Sequence, residues 1–243
     1  MPRPPCSHRP KNAPLWTSTT QSVIPEHIVD NRPFLVPDPH NATASVALCL
    51  CTKTASTSIK RHVLSSLDRR GIPLESDWHT CPHGHPALRG LPTPQHAFIV
   101  VRNPLLRLAS GYEEVARRSF WHRLPQVPPN ASFARVVHAV ARTPPSELNP
   151  HFRPQWLMCG LVGGRRYTEI LKYEDWNHLM RVLTRHVTTN IPPLPFRDTG
   201  ALARADRLYT RELAEVANRW AHTDLDLFGY EPWWPGQSAA RVT

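Results

Sequence analysis

Three short stretches of this chain hold residues able to grip an anion or move a proton. The first is Thr52-Lys53-Thr54-Ala55-Ser56-Thr57-Ser58, a hydroxyl-rich turn with one lysine, directly after the apolar run Ser45-Val46-Ala47-Leu48-Cys49-Leu50-Cys51. A turn that leaves a strand and opens a helix points its first free N–H groups at whatever sits there, and the helix dipole favours an anion. Lys53 adds a full charge, and Thr57 and Ser58 add hydroxyl donors. The glycine-rich loop of ATP and GTP hydrolases is absent, because no glycine lies between Val46 and Gly71. The second stretch places Arg102 at the end of the apolar run His96-Ala97-Phe98-Ile99-Val100-Val101, with Ser110 two turns into the helix that Asn103-Pro104 opens. The third holds imidazoles: His83 and His85 around Gly84, and His151 beside Arg153. Neutral imidazole accepts a proton near pH 7.

These groups need elements to carry them. Ile59, Val63, Leu64 and Leu67 form one helical face after the first turn, and Leu105, Leu108, Ala109, Tyr112 and Val115 form one after the second. A Pro-punctuated helical region spans Ser132 to Arg142, and 149–155 reads as a loop. Tyr167 to Lys172 reads as a further strand, and Trp176, Leu179, Met180, Leu183 and Val187 as the helical stripe behind it. The last helix has Thr210 as its N-cap and Leu213, Val216, Ala217 and Trp220 facing inward. Alternating strands and helices predict an α/β three-layer fold around a mainly parallel sheet, one domain over 45–232. Residues 1–44 are rich in proline and are expected to be extended or poorly ordered, and 233–243 to form a tail. Two anion-binding strand ends in one small domain suit a nucleotide phosphorylated at both its 5′ and 3′ positions.

Composition sets wider bounds. Across 243 residues, 29 Lys and Arg oppose 19 Asp and Glu, a formal charge of +10. Such a field suits nucleotides, acidic polysaccharides, nucleic acid or anionic membranes. An arginine- and proline-rich composition bias accounts for it equally well. The five cysteines, Cys6, Cys49, Cys51, Cys81 and Cys159, cannot all pair and show no zinc spacing, and Cys49 and Cys51 read as core residues. No apolar stretch approaches a spanning helix or the core of a signal peptide, so the chain as written reads as soluble. Sequons stand at Asn41 and Asn130.

Taken together, the stretches resemble the Golgi carbohydrate sulfotransferases, nearest in local pattern to the heparan sulfate and uronyl 2-O-sulfotransferases. The 52–58 turn is similar to that family's PKxAST-like loop for the 5′-phosphosulfate. The run from Arg102 to Tyr112 is similar to its RDPxxRLxSxY-like stretch for the 3′-phosphate. His83-Gly84-His85 stands where the 2-O enzymes carry a His-Gly-His, and His151-Phe152-Arg153-Pro154-Gln155 and Asp226-Leu227-Phe228-Gly229-Tyr230 match further patterns. Thr52 and Asn103 replace a usual proline and aspartate, and the interval from Lys53 to His83 is shorter than in the 2-O enzymes.

The resemblance implies a P-loop-like sulfotransferase fold, 3′-phosphoadenosine 5′-phosphosulfate (PAPS) as donor and no metal. It implies an acceptor hydroxyl, expected on a carbohydrate, with no specific nucleic acid partner, and residence in or at the Golgi. By the same resemblance Lys53 to Ser58 hold the 5′ end, and Arg102 and Ser110 hold the 3′-phosphate. His85 is the expected base with His83 as its neighbour, and His151 and Arg153 are candidates for the acceptor or for tying down their loop. Two readings compete: a phosphate-loop kinase, which lacks its glycines here, and a non-catalytic binder of polyanions or nucleotides.

Overall fold

The computed structural model describes residues 34–41, 44–70, 94–119, 121, 124, 127–159, 167–196 and 200–236. The expected strands form as β2 (Ser45–Leu50), β3 (Pro94–Val101) and β4 (Glu169–Lys172), paired in parallel in that order. A strand outside the expected domain, β1 (Phe34–Pro37), pairs antiparallel with β2. β2 has every residue buried, as a strand covered on both faces must.

Alternation along the strands sends their side chains into two cores. Val46, Leu48, Leu50, Phe98 and Val100 face one side, where they meet Ile59, Val63 and Leu67 of α1 (Ser56–Arg69) and Leu179 and Leu183 of α5 (Trp176–His186). Cys49, Cys51, Ile99 and Val101 face the other, against α2 (Pro104–Arg117), α3 (Phe133–Arg142) and α7 (Arg211–Phe228). The fold is therefore mixed α/β, with helices on both sides of a parallel central sheet. Each fully buried Ile, Val or Leu in these cores contributes about 1.5–3 kcal/mol.

Two short helices complete the frame: α4 (Gln155–Met158), after the 149–154 loop, and α6 (Ala201–Leu208), which the sequence reading did not include. The Thr210 side chain accepts the Leu213 N–H and starts α7 where the sequence places it. Its buried face, however, is Ala214, Ala217, Asn218, Ala221, Asp224, Leu225 and Phe228, one position off the expected stripe. Leu213, Val216 and Trp220 pack at its margin. The shift follows from Asn218 and Asp224, polar side chains that go inside because they are hydrogen-bonded there. Asn218 exchanges two bonds with the backbone of Trp233, which is buried and lies beyond the expected domain end.

Cys49 and Cys159 form a disulfide that ties β2 to the end of α4, a pairing the sequence spacing did not indicate. Cys51 is a buried thiol, pushed up to about 12 by burial. Among the described residues no helix is long and apolar enough to cross a membrane.

Candidate active site

Open α/β sheets bind ligands at the carboxyl ends of their strands, and that edge gathers the predicted anion ligands. After β2 the chain turns through Lys53 (φ 68°) and Ala55 (φ 57°), both left-handed, before α1 begins at Ser56. Such left-handed residues turn successive N–H groups toward one concavity, which suits an anion. Neither residue is glycine, so the conformation costs about 1–3 kcal/mol at each. The Thr54 hydroxyl stabilises it by donating to the Cys51 carbonyl at 2.6 Å. No side chain caps α1, whose first turn carries Ser56, half-buried, and Thr57 and Ser58, both exposed.

Arg102 leaves the end of β3 and is 5% exposed. Its Nη1 donates to the Lys53 carbonyl at 3.1 Å, and its guanidinium lies 4.7 Å from the Tyr173 ring centroid. Among the described residues its buried Nε has no hydrogen-bond partner, a donor an incoming anion would satisfy. Ser110 is half-buried on α2, two turns along from Asn103, whose side chain caps α2 by accepting from Leu105 and Leu106 N–H. Lys53, the turn amides and Arg102 are donors of the kind a phosphate would take, and the Lys53 turn and Arg102 are in contact through the Arg102–Lys53 bond.

The two later motifs build the support for this edge. Gln155 pairs with the Arg102 backbone in both directions, accepting its N–H at 2.9 Å and donating to its carbonyl at 2.8 Å. Asp224 accepts the Gln155 and Trp156 N–H groups, each at 2.9 Å, capping α4. Glu174 accepts from Asn103 N–H and from the Tyr230 hydroxyl, both at 2.8 Å. Burial pushes both Asp224 and Glu174 up, against the hydrogen bonds they accept. In this way 151–155 and 226–230 fix the strand end that carries Arg102.

Arg107, Gly111 and Glu114, on one face of α2, were not singled out by sequence reasoning. Arg107 is fully buried and clamps the first turn to the third stretch, donating to Thr52 O at 2.9 Å and to Pro150 O at 2.8 Å. Gly111 lets that stretch lie on the helix: a Cβ there would stand 3.0 Å from His151 O and 3.1 Å from the Phe152 ring. Glu114 pairs with Lys53 Nζ at 2.5 Å and faces His151 Nε2 at 3.7 Å. Burial would raise the Glu114 carboxyl, but the hydrogen bond and charge of Lys53, with His151 and Arg118 behind, hold it below the ordinary carboxylate value. No local signal marks Glu114, because its partner Lys53 stands 61 residues away in the chain.

His151 thus enters the site through Glu114, with its ring Nδ1 2.8 Å from Asn149 Oδ1. An amide oxygen only accepts, so Nδ1 carries the proton and Nε2 is the basic nitrogen of the neutral ring. Arg153 is buried and donates to the Leu148 and Ser146 carbonyls, bonds that hold its own loop. His83 and His85 lie outside the described residues, and among the described residues no group of His, Cys, Asp and Glu is placed to hold a metal ion.

The fold is an α/β frame whose strand ends bring together the Lys53 turn and Arg102. The chain matches the model of the Sulfotransferase family over residues 40–230, and it belongs to that family. No curated protein and no solved structure matches it.

Proposed function

We propose that this chain moves a sulfuryl group from PAPS to an acceptor hydroxyl, that of a carbohydrate, by in-line transfer. The observation that carries the reading is the meeting of the Lys53 turn and Arg102 at one sheet edge, where Arg102 Nη1 bonds Lys53 O at 3.1 Å and its buried Nε has no partner among the described residues. PAPS supplies an activated sulfuryl group together with a 3′-phosphate that a reader of this kind requires.

Lys53 faces the bridging and leaving oxygens and offsets the negative charge that builds there. The amides of Thr54, Ala55 and Ser56, with the hydroxyls of Thr57 and Ser58, hold the 5′-phosphate. Arg102 and Ser110 hold the 3′-phosphate and set the register of the nucleotide. Such a site works by positioning and charge stabilisation more than by covalent chemistry. A histidine takes the hydroxyl proton; the resemblance to the 2-O-sulfotransferases assigns this to His85, with His83 beside it. His151 borders the acceptor side of Lys53, and Arg153 fixes the loop that presents it. The Cys49–Cys159 disulfide supports a secretory, Golgi-type lumen as the working compartment, since disulfides persist where the medium is oxidising.

The reading is tested by offering radiolabelled PAPS with a panel of glycans, tyrosine peptides and small alcohols. Label should move to a glycan. Transfer to tyrosine peptides alone would refute the carbohydrate assignment.

A further inference from the structure

The Lys53 ammonium has a protein partner that the donor must displace. Glu114 Oε2 stands 2.5 Å from Lys53 Nζ, with both side chains largely covered, at 16% and 19% exposure. The carboxylate is held from two sides, by Lys53 from the turn after β2 and by Arg118 one helical turn along α2 with its Nε 3.6 Å from Oε1, and His151 Nε2, 3.7 Å away on the loop before α4, joins them when its ring is protonated. That loop reaches Glu114 only because Gly111, one turn earlier on α2, has no Cβ to hold the His151 backbone off the helix. α2 therefore carries both Ser110, a ligand on the nucleotide side, and Glu114, a competitor for the nucleotide's other end.

We propose that Glu114 is an exchange carboxylate, a positioning residue that holds Lys53 in line with the site, yields it to the donor's 5′ end and takes it back when the spent bisphosphate leaves. The inference rests on the donor reading above. An ammonium held by a 5′-phosphate dianion and by nothing else would bind product tightly, and uniform tight binding does not speed turnover. A carboxylate one hydrogen bond away gives Lys53 a second charged partner of comparable strength, so release of the phosphate does not strand a partly buried cation. The cost is weaker nucleotide binding, and the gain is faster release.

This predicts an unusual sign. Glu114→Gln keeps the shape and a neutral acceptor for Lys53 while removing the competing charge. Calorimetry with adenosine 3′,5′-bisphosphate should then show binding tighter by about tenfold, or about 1.4 kcal/mol, and the bisphosphate should inhibit transfer at correspondingly lower concentration. Structural damage would weaken binding, so the direction separates the two causes. In a Lys53→Ala background Glu114→Gln should leave affinity unchanged, because no ammonium remains to compete for. Unchanged or weaker binding in Glu114→Gln, beside a wild type that binds, would overturn the exchange role alone. Absence of bisphosphate binding in the wild type would overturn the donor reading, and this inference with it.

Discussion

The guanidinium of Arg102, just past the end of β3, donates a 3.1 Å hydrogen bond to the backbone carbonyl of Lys53, in the turn that follows β2. The residue assigned to the 3′-phosphate thereby shapes the turn assigned to the 5′ end, so the two halves of the site are mechanically one. The side chain of Lys53 does not take part in that bond. Lys53→Ala should consequently leave the turn and Arg102 in place and act on the chemistry. Turnover should fall by about 10²–10³-fold, the range for losing one charge-stabilising donor, with a much smaller loss of bisphosphate affinity. Equal losses in both measurements would make Lys53 an anchor only.

His85→Ala should keep nucleotide binding and lose roughly 10²–10⁴-fold in rate, as removal of a general base does. The wild-type rate should also fall as acid protonates the base. Near-normal turnover in His85→Ala with loss in His83→Ala would exchange the two roles. If both variants stayed active, the base would have to be sought elsewhere in the site.

Gly111→Ala places a methyl group 3.0 Å from His151 O and 3.1 Å from the Phe152 ring. Neither neighbour can yield easily, because one is backbone and the other is a fully buried ring. The expected loss is about 1–3 kcal/mol, as for overpacking in a core, read from denaturant unfolding. Turnover should drop further than stability alone explains, since the His151 loop moves. An unchanged midpoint would show that the loop does not bear on the helix there.

Acid should destabilise the fold in part through His62, which is 7% exposed on α1. Its Nε2 has no partner among the described residues, and burial lowers its pKa. Below about pH 6.5 the unfolded chain takes up a proton that the folded chain resists, so stability is full above that pH and declines as pH falls toward the lowered folded value. His62→Leu should remove this slope, and its advantage over wild type should grow from pH 7 to pH 5. Parallel stability curves for the two proteins would contradict it.

Much of this frame is legible in the sequence, because burial on both faces leaves short apolar runs such as 45–51 and 98–101, which fit covered parallel strands. The hydroxyl-rich turn and Arg102 are legible for the same reason, since each follows such a run directly. Other features are hidden because they depend on partners far along the chain. Strand β1 lies in a proline-rich stretch whose pattern is dominated by those prolines, and it forms by pairing with β2. The buried face of α7 was displaced because Asn218 and Asp224 look like surface residues until Trp233, Gln155 and Trp156 supply their bonds. Glu114 looked like an ordinary helix-surface carboxylate, and only the fold brings Lys53 to it.

The central claim is that this edge reads a nucleotide by phosphates at both ends, and it is tested most directly by titrating adenosine 3′,5′-bisphosphate and adenosine 5′-phosphate into wild type and Arg102→Ala by calorimetry, with chelator present. Wild type should bind the bisphosphate far more tightly. Arg102→Ala should lose about 2–4 kcal/mol for the bisphosphate and distinctly less for the monophosphate, since the charge-assisted contact to the 3′-phosphate is lost only with the bisphosphate, while the loss of the Arg102–Lys53 bond affects both ligands. Ser110→Ala should show the same selectivity with a smaller loss. Equal losses for both ligands, or no preference for the bisphosphate in wild type, would contradict the account.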